Sequence, residues 1–403
     1  MRTASDTRTT ARLMNERAVL QALYRHGPCT RGEVADLLGF SRPTTNSIVE
    51  SLATAGLVVE SGQAGGRIGR TAALFAINRE VGYVVGVDVG PASVSAVLAD
   101  VFGVEFAAHE EDTDTSSAAA LLDQVVAAVQ TVQARARVAT DKVAAALVAV
   151  PGTVEPGTGR VALMPHLPDF GPRDVQAELS ERIGARVLVH NDVNLAAIAE
   201  GSSGLAQGID DYGFMHVGAG TGLGLVINGR LCVGRTGAAG EIGWLPFGGD
   251  PLAPGSRHNG AFEAAIGGHG LAERYRERRG GEGPAITVAE VFARAGDGDP
   301  LAAEVVDREA YGIAMALASV TTIVEPQLLI LGGEVGLQPA LLQPVRGYLD
   351  RLVPRPPAVE TSTLGARASI AGAIALGVQE AREGLFGRRD VSPAAPGAAP
   401  VRA

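Results

Sequence analysis

The chain has few cysteines and no long apolar segment. Its 403 residues include two cysteines, Cys29 and Cys232, which lie far apart and form neither a metal-ligand spacing nor a disulfide framework. No apolar run reaches the length of a membrane span, and the first residues lack the hydrophobic region of a signal peptide. With 46% hydrophobic and 19% charged residues, the composition also lacks a disorder signature. These absences predict a globular, cytoplasmic protein of two or three domains.

The charge is distributed unevenly along the chain. Residues 1–78 carry nine arginines against six acidic residues, a net +3, whereas the remainder carries 25 basic against 38 acidic residues, a net −13. A basic segment on an acidic protein predicts that only this segment meets nucleic acid, unless the excess is chance variation over a short stretch.

The N-terminal segment shows the pattern of a winged helix-turn-helix. A helical period starts at Leu13, and Thr30 and Glu33 have the spacing of a capping box that opens a second helix. Ser41 is a good N-cap for a third helix. Two short β runs follow, separated by a tip rich in glycine and arginine.

In a winged helix-turn-helix the third helix enters the major groove and the wing reaches the backbone or minor groove. The residues expected to contact DNA are Arg42, Thr44, Thr45, Asn46 and Ser47 on the third helix and Arg67 and Arg70 at the wing tip. The alternative is a helical interaction module whose polar face is only solvated.

From about Glu80 onward, strand-like runs alternate with helical ones. One apolar run ends at Pro151-Gly152, another leads into Asn191-Asp192, and a third ends at Gly332-Gly333. This alternation predicts an α/β fold with ligands bound at the ends of the strands.

The stretch Val217–Trp244 contains nine glycines, and their spacing is informative. Gly218–Gly222 forms a tight turn between apolar flanks, which allows backbone N–H groups to approach an anion. Asn228-Gly229 between two strand-like runs predicts a hairpin. Glu241 stands between glycines near Trp244, where its carboxylate could accept hydrogen bonds from a polyhydroxylated ligand.

These motifs, in this order, resemble those of the ROK family of repressors and sugar kinases, over about residues 13–385. The segments that carry the resemblance are Val150–Gly152, His190–Asn194, Val217–Trp244, Gly260–Glu263 and Leu331–Gly333. The resemblance implies an actin/hexokinase-like pair of α/β lobes that close on a central cleft. The winged helix-turn-helix resembles the repressor branch, since the kinases lack it.

The resemblance also implies the positions of a sugar site. The family's sugar-binding positions fall on Asn191, Asp192, Glu241 and Glu263, and Gly152 belongs to a loop that commonly lines the same pocket. Trp244 occupies the position of a histidine that contacts metal and sugar. In kinase members the residue at the position of Asp192 takes the proton from the attacking hydroxyl. Asp192 is therefore the residual base position, and its role is either that of a base or that of a hydrogen-bond acceptor for the same hydroxyl.

Two departures from the family pattern argue against catalysis and against zinc. The kinase pattern Asp-x-Gly-Gly-Thr-Lys reads Asp88–Ser93 here, with Pro91-Ala92-Ser93 at its end, which removes a backbone N–H, a hydroxyl and a cation from the phosphate grip. The positions of the family's zinc-binding cysteines are Pro254, Ser256 and Ala261. We therefore expect no enzymatic activity, no metal and no cofactor.

The sequence thus predicts an N-terminal winged helix-turn-helix followed by an actin/hexokinase-like two-lobed α/β domain. The predicted boundaries are a flexible arm at 1–12, a DNA-binding domain at 13–78, a sugar-kinase-like ligand-binding domain at 79–386 and a disordered tail at 387–403. The predicted function is that of a sugar-responsive repressor of carbohydrate genes that binds operator DNA as a homodimer or homotetramer, without a membrane partner. Two alternatives stay open: a sugar kinase with a DNA-binding head, and a regulator with a vestigial cleft that a protein partner controls.

Overall fold

The computed structural model describes residues 4–64, 72–162, 170–171, 173–254, 256, 260–281 and 285–386. The chain forms two compact units: one comprises residues 1–83, 100–104 and 378–403, and the other residues 84–99 and 105–377. The predicted wing-tip residues Arg67 and Arg70 and the predicted tail at 387–403 lie outside the described residues. No helix in the described part of the chain is both long and apolar enough to cross a membrane.

The first unit contains the predicted winged helix-turn-helix. Its helices and strands are α1 (Ala4–His26), β1 (Cys29–Thr30), α2 (Arg31–Leu38), α3 (Arg42–Thr54), β2 (Val58–Gln63) and β3 (Ala73–Ile77). The strands form an antiparallel sheet in the order β1-β3-β2. The core of the unit is apolar, with Val19, Leu23, Val34, Val49 and Leu52 among its buried side chains.

The boundaries of α2 and α3 follow from their caps. The Thr30 backbone N–H donates to the Glu33 carboxylate at 2.7 Å, and the Glu33 N–H donates to the Thr30 hydroxyl at 3.2 Å, which completes the predicted capping box. Gly39, with φ +69°, ends α2 in the left-handed conformation. The Ser41 hydroxyl then accepts the Thr44 N–H at 3.3 Å and starts α3.

Helix α1 begins earlier than the sequence predicts. The flexible arm expected at 1–12 is wrong from Ala4 onward, because α1 already starts there. Arg12 forms an ion pair with Glu16 one turn later at 3.1 Å, and its guanidinium donates to the Ser51 hydroxyl of α3 at 2.9 Å. The first part of α1 has no regular spacing of apolar residues, and these polar contacts of Arg12 join it to α3.

The second unit is built around two five-stranded sheets. The first has the strand order β10-β7-β4-β5-β6, and the second the order β13-β12-β11-β14-β15. The strands of the first sheet are β4 (Tyr83–Val89), β5 (Ser93–Asp100), β6 (Glu105–Asp112), β7 (Val143–Val150) and β10 (Val187–Asn191). Those of the second are β11 (Tyr212–Val217), β12 (Thr221–Ile227), β13 (Arg230–Leu231), β14 (Leu328–Gly332) and β15 (Ala358–Thr361), and β8 (Thr153–Val154) pairs with β9 (Val161–Ala162).

Helices cover both sheets. They are α4 (Ala118–Ala136), α5 (Val175–Ile183), α6 (Asp192–Ser203), α7 (Ala261–Ala265), α8 (Gly268–Arg278), α9 (Val288–Gly296), α10 (Pro300–Val324), α11 (Gly333–Gly336), α12 (Pro339–Leu352) and α13 (Ala368–Phe386). Residues 261–278 form two helices rather than one, because Gly267 adopts φ +112° between α7 and α8.

Parallel pairing brings the predicted site segments together. Strands β7 and β10 run parallel with Val150 opposite Asn191, so Pro151-Gly152 and Asp192 follow neighbouring strand ends. Strands β11 and β14 are also parallel, with His216 opposite Gly332. Ligands of open α/β sheets bind at such carboxyl ends, as the sequence predicted for this chain.

Helices α6 and α13 touch at a glycine. A Cβ on Gly372 of α13 would overlap the backbone carbonyl of Leu195 in α6, so only glycine allows the two helices to approach this closely. Because α6 begins at Asp192, this contact holds the helix that carries a predicted site residue.

We expect Gly372→Ala to lower the free energy of unfolding by about 1–3 kcal/mol, because the added methyl forces the helices apart. Gly384→Ala is the matched control in the same helix: no atom lies within 4 Å of its would-be Cβ, so the change should be neutral or stabilise by about 0.5–1 kcal/mol. Chemical denaturation of both variants measures the difference. Equal effects would show that the α6–α13 contact does not constrain the fold.

Candidate functional site

A cavity of about 380 Å³ opens at the strand ends of the second unit. This volume lies within the range of small-molecule sites. All six predicted ligand-binding residues line it: Gly152, Asn191, Asp192, Glu241, Trp244 and Glu263. The structure therefore brings together residues that are separated by up to 111 positions in the sequence, from 152 to 263.

Asn191 is held by three hydrogen bonds. Its side-chain amide donates to the Gly152 carbonyl at 3.1 Å and to the Asp192 carboxylate at 3.2 Å. Its side-chain oxygen accepts the Asn194 N–H at 2.9 Å and thereby caps α6. Both amide protons are thus engaged within the protein, and Asn191 orients the loop at Gly152 and the carboxylate of Asp192.

Asp192 is a carboxylic acid with a strongly shifted pKa. Its pKa is raised to about 7: burial is the largest cause, the nearby Asp88 and Glu241 carboxylates also raise the pKa, and the hydrogen bond from the Val193 N–H at 2.8 Å offsets part of the rise. A carboxyl group with a pKa near neutrality can accept a proton from a hydroxyl or exchange one with it.

Glu241 faces the cavity from a glycine-rich turn. Gly240 has φ +91°, and a Cβ there would overlap the Leu223 carbonyl of β12, so the turn lies directly on the strand. Within the described part of the chain no hydrogen bond or ion pair engages the Glu241 carboxylate. Burial, followed by the Glu263 carboxylate, raises its pKa to about 7.

Glu263 connects α7 to the glycine-rich turn before β12. Its carboxylate accepts the Thr221 N–H at 2.8 Å and the Thr221 hydroxyl at 3.3 Å. The same carboxylate lies 3.2 Å from a would-be Cβ on Gly220. The predicted anion-binding turn is therefore occupied on this side by an anion of the protein itself.

Trp244 lines the cavity and is 45% exposed. It ends a short 3-10 helix at Ile242–Trp244 and packs against Gly260, whose would-be Cβ lies 2.6 Å from the Trp244 ring. Its indole is thus held near the start of α7 while part of the ring stays open to a ligand.

The turn after β4 differs from the family's phosphate-binding pattern in its residues. The Gly90 N–H donates to the Ser93 carbonyl at 2.9 Å, which closes the turn on itself, and Pro91 supplies no N–H. Asp88 is partly buried and accepts the Ser369 hydroxyl at 2.9 Å, while burial raises its pKa.

The cavity residues that were not predicted include Asn194 and His216. Asn194 is 6% exposed, and its side-chain oxygen has no hydrogen-bond partner in the described part of the chain. Burial lowers the pKa of His216 to about 4, so its imidazole is neutral near pH 7. A sequence signal existed for both: Asn194 lies one helical turn after Asn191, and His216 is the penultimate residue of the strand before the glycine-rich turn.

On α3, four of the five predicted DNA-contacting residues are exposed: Arg42, Thr44, Asn46 and Ser47. Thr45 is a correction, because it is fully buried and its hydroxyl donates to the Ser41 carbonyl at 3.3 Å. It lies three and four residues before the buried Ile48 and Val49, which places it on the apolar face of the helix.

The residues at the family's zinc positions do not fit a metal. Pro254, Ser256 and Ala261 supply no thiolate, and Trp244 supplies no imidazole lone pair. Around this segment the Ser256 hydroxyl donates to the Asp250 carbonyl at 2.7 Å, and the rings of Phe247 and Phe262 pack edge to face.

Comparison with known proteins identifies the families that share this architecture. A family model described as the ROK family matches residues 84–380, and one described as the MarR family matches residues 13–68. An N-acetylglucosamine repressor from Escherichia coli O6:H1 is 27% identical over 336 residues, which is 80% of this chain and 80% of that protein.

Two solved structures share the fold. A ROK family transcriptional regulator described as a homologue of the E. coli MLC protein aligns with a TM-score of 0.75 and 21% identity over 93% of this chain and 98% of that one. A ROK family glucokinase from Streptomyces griseus, in complex with glucose and AMPPNP, aligns with a TM-score of 0.63 and 26% identity over 74% of this chain and 100% of that one. Since the family model covers well over half of the sequence, the chain belongs to the ROK family and carries a MarR-type winged helix-turn-helix at its N-terminus.

Proposed function

We propose that this protein is a sugar-responsive transcriptional repressor that binds operator DNA through its winged helix-turn-helix and a sugar through its cleft. The observation that carries the proposal is the presence of both parts in one chain: an exposed polar face on α3 and a carboxylate-lined cavity. The E. coli relative is an N-acetylglucosamine repressor, and its similarity extends over 80% of the chain.

DNA binding is assigned to the exposed face of α3, which offers Arg42, Thr44, Asn46 and Ser47. Arginine and asparagine are the side chains that pair with guanine and adenine through two hydrogen bonds in the major groove. Palindromic operators match a two-fold protein, so we propose a homodimer or a tetramer built from such dimers. No cofactor or metal is required for this function.

Sugar binding is assigned to Asp192, Glu241 and Glu263, with Trp244 beside them. Carboxylates accept the hydroxyl protons of a sugar, and an indole packs against the apolar face of a pyranose ring. A ligand shifts DNA binding only to the extent that its affinity differs between the two states of the protein.

The kinase alternative is disfavoured by both phosphate turns. The first turn contains Pro91 and closes through the Gly90–Ser93 hydrogen bond. In the second, the Thr221 N–H and hydroxyl already bind the Glu263 carboxylate, where a transferred phosphate would meet a like charge. Asp192 alone, even with a suitable pKa, lacks the phosphate-positioning groups that phosphoryl transfer depends on.

Replacing Asn46 should reduce operator specificity. Asn46→Ala is expected to cost about 1–3 kcal/mol on the cognate operator and less on unrelated DNA, because a base-directed pair is lost. Thr45→Val is the matched control: it changes the adjacent side chain, which is buried, and should leave operator affinity unchanged. Fluorescence anisotropy with labelled operator measures both. If Asn46→Ala left operator affinity unchanged while Thr45→Val lowered it, the exposed face of α3 would not be the DNA-binding surface.

The purified protein should not phosphorylate sugars. A coupled assay with ATP and a panel of hexoses and amino sugars is expected to stay at background, because the first phosphate turn lacks groups that grip a transferring phosphate and the Thr221 donors of the second are bound to Glu263. Turnover that Asp192→Asn abolishes would establish a kinase and overturn this part of the proposal.

Trp244 fluorescence should report sugar binding. Because the chain has one tryptophan, a saturable change upon titration arises at this position alone. Glu241→Gln and Glu263→Gln are expected to weaken the response while the circular dichroism spectrum stays native.

The third alternative, a vestigial cleft, makes the opposite prediction. It requires a flat fluorescence signal with every sugar and operator binding that no sugar alters. That combined result would refute sugar control and leave DNA binding intact.

A further inference from the structure

Two aromatic rings and two guanidinium groups form a continuous stack in the first unit. The guanidinium of Arg79 lies 5.4 Å from the centre of the Phe102 ring, which stacks on the Tyr24 ring with 5.1 Å between the ring centres and 13° between the planes. The guanidinium of Arg382 lies 3.6 Å from the centre of the Tyr24 ring. A cation over a ring face is attracted by the ring's electron density, and offset rings attract each other. We call these four residues the cation–ring stack.

The stack joins segments that are far apart in the sequence. Arg79 follows β3, Phe102 lies in the turn between β5 and β6, Tyr24 belongs to α1, and Arg382 belongs to α13. The side chains of Tyr24 and Phe102 also pack against the apolar core of the winged helix-turn-helix. The turn between β5 and β6 and the end of α13 are therefore parts of the DNA-binding unit, although both elements begin in the second unit.

A buried carboxylate holds one end of the stack. Asp100 is fully buried, and its carboxylate accepts the N–H groups of Phe102 at 2.9 Å and Val104 at 3.0 Å. The Nε atom of Arg79 lies 2.8 Å from the same carboxylate. At the other end, the Nε atom of Arg382 is buried and has no hydrogen-bond partner among the described residues. The face of the Tyr24 ring is the group that the structure shows against this charge.

Strand β5 leads from the sugar cavity to the stack. It starts at Ser93, whose carbonyl accepts the Gly90 N–H at 2.9 Å across a turn that contains the cavity residue Pro91. It ends at Asp100, the first residue of the segment 100–104 that belongs to the first unit. A change in the turn at Pro91 therefore acts on the strand that leads directly into Phe102.

Helix α13 leads from the same cavity to the other end of the stack. Near its start the Ser369 hydroxyl donates to the Asp88 carboxylate at 2.9 Å, and Asp88 in turn raises the pKa of the cavity residue Asp192. The helix enters the first unit at Val378. Arg382 follows Ser369 by about 20 Å along the helix axis. One unbroken helix thus connects the neighbourhood of Asp192 to the Tyr24 ring.

Tyr24 connects the stack to the helix that offers its polar face to DNA. Its neighbour Leu23 is buried in one apolar core with Val49 of α3. The Ser51 hydroxyl of α3 donates to the Glu16 carboxylate of α1 at 3.0 Å. Because closely packed side chains transmit displacements, movement of Tyr24 moves α1 and α3 together.

We propose that the cation–ring stack transmits the state of the sugar cavity to α3, and that Arg382 and Phe102 do so by positioning Tyr24. This inference rests on the proposed function, since it names how the same cavity regulates DNA binding. The attraction between a cation and a ring requires the guanidinium to lie over the ring face, so a small shift of α13 changes it. The described lining of the cavity includes none of the four residues, and none belongs to α3, so they act as positioning residues.

Four variants of the full-length protein separate the charge and the ring from the packing. Arg382→Met removes the cation and Tyr24→Leu removes the ring, whereas Arg382→Lys and Tyr24→Phe keep them. For each variant, fluorescence anisotropy measures the operator Kd with and without glucose, xylose or N-acetylglucosamine. Trp244 fluorescence measures the Kd of the sugar in the same protein.

We expect an effective sugar to change the operator Kd of the wild-type protein at least about fivefold. In Arg382→Met and Tyr24→Leu this response should fall below about twofold, although both bind the sugar within about twofold of wild type. Arg382→Lys and Tyr24→Phe should retain the response. Arg351→Met is the matched control, because its guanidinium lies 5.8 Å from the centre of the Tyr348 ring on α12, and it should respond like the wild type.

A second measurement tests the transmission without any sugar. Ser369→Ala removes the contact between α13 and Asp88, so it should change the operator Kd at least about threefold in the wild-type background. In the Arg382→Met background the same substitution should have an effect below about 1.5-fold, because the connection to α3 is already interrupted.

The outcomes distinguish the inference from the proposed function. A sugar response that persists in Arg382→Met and Tyr24→Leu would overturn the inference and leave sugar control intact. An effect of Ser369→Ala that is absent, or equal in both backgrounds, would overturn it as well. If no sugar changes operator affinity while the two backgrounds differ, the proposed sugar control fails and the transmission stands.

Stability measurements exclude a purely structural role. Arg382→Met should keep the wild-type melting temperature, because an apolar side chain of similar length replaces a partly buried charge. A large fall in melting temperature in both Arg382→Met and Tyr24→Leu would make the stack a structural contact of the first unit and overturn the inference.

Discussion

The hydrogen bond from the Thr221 N–H to the Glu263 carboxylate, at 2.8 Å, joins the start of β12 to α7, and the rest of the site depends on it. A short helix such as α7 has little stability of its own, so its position must come from tertiary contacts. At its far end the Ala265 carbonyl accepts a hydrogen bond from the Arg274 guanidinium. Arg274 also pairs with the fully buried Glu309, which accepts the Gly267 N–H at 2.7 Å.

These contacts explain how the site is held at positions where many ROK proteins bind zinc. The Gly268 N–H donates to the Gly218 carbonyl at 2.7 Å, so the turn before α8 is joined to the same glycine-rich loop as Glu263. Breaking a buried pair such as Arg274–Glu309 is costly, because one charge stays buried without its partner. The chain therefore fixes α7 by an internal ion pair and backbone hydrogen bonds.

Local chemistry predicted turns and caps well, because few residue types can adopt those conformations. Asn228 and Gly229 have φ +52° and +68°, as the hairpin prediction requires, and Ser41 caps α3. Strand β6 was not predicted, because its residues Glu105–Asp112 are mostly polar and partly exposed and lack an apolar run. The break at Gly267 was missed as well, although Gly267-Gly268 offered the signal.

For the site, the sequence predicted which residues take part but not the contacts between them. The ligand-binding positions followed from family resemblance, but the role of Asn191 depends on the Gly152 carbonyl, 39 residues away, and no local pattern contains that contact. The raised pKa values of Asp192 and Glu241 likewise arise because folding buries carboxyl groups from separate segments together.

The clustering of carboxylates also bears on how a ligand signals. A site that holds like charges and unpartnered acceptors is less stable when empty than when filled by a complementary ligand, so binding contributes free energy to whichever conformation closes around it. Asp192 starts α6, and Glu241 and Glu263 belong to the segments around β12 and α7, so a ligand among the three carboxylates contacts chain segments from both sheets' ends. Only the part of that free energy that differs between the DNA-binding and non-binding states can regulate transcription. A sugar therefore acts as an effector only if the acceptors are positioned differently in the DNA-binding and non-binding states, and otherwise it binds without regulating.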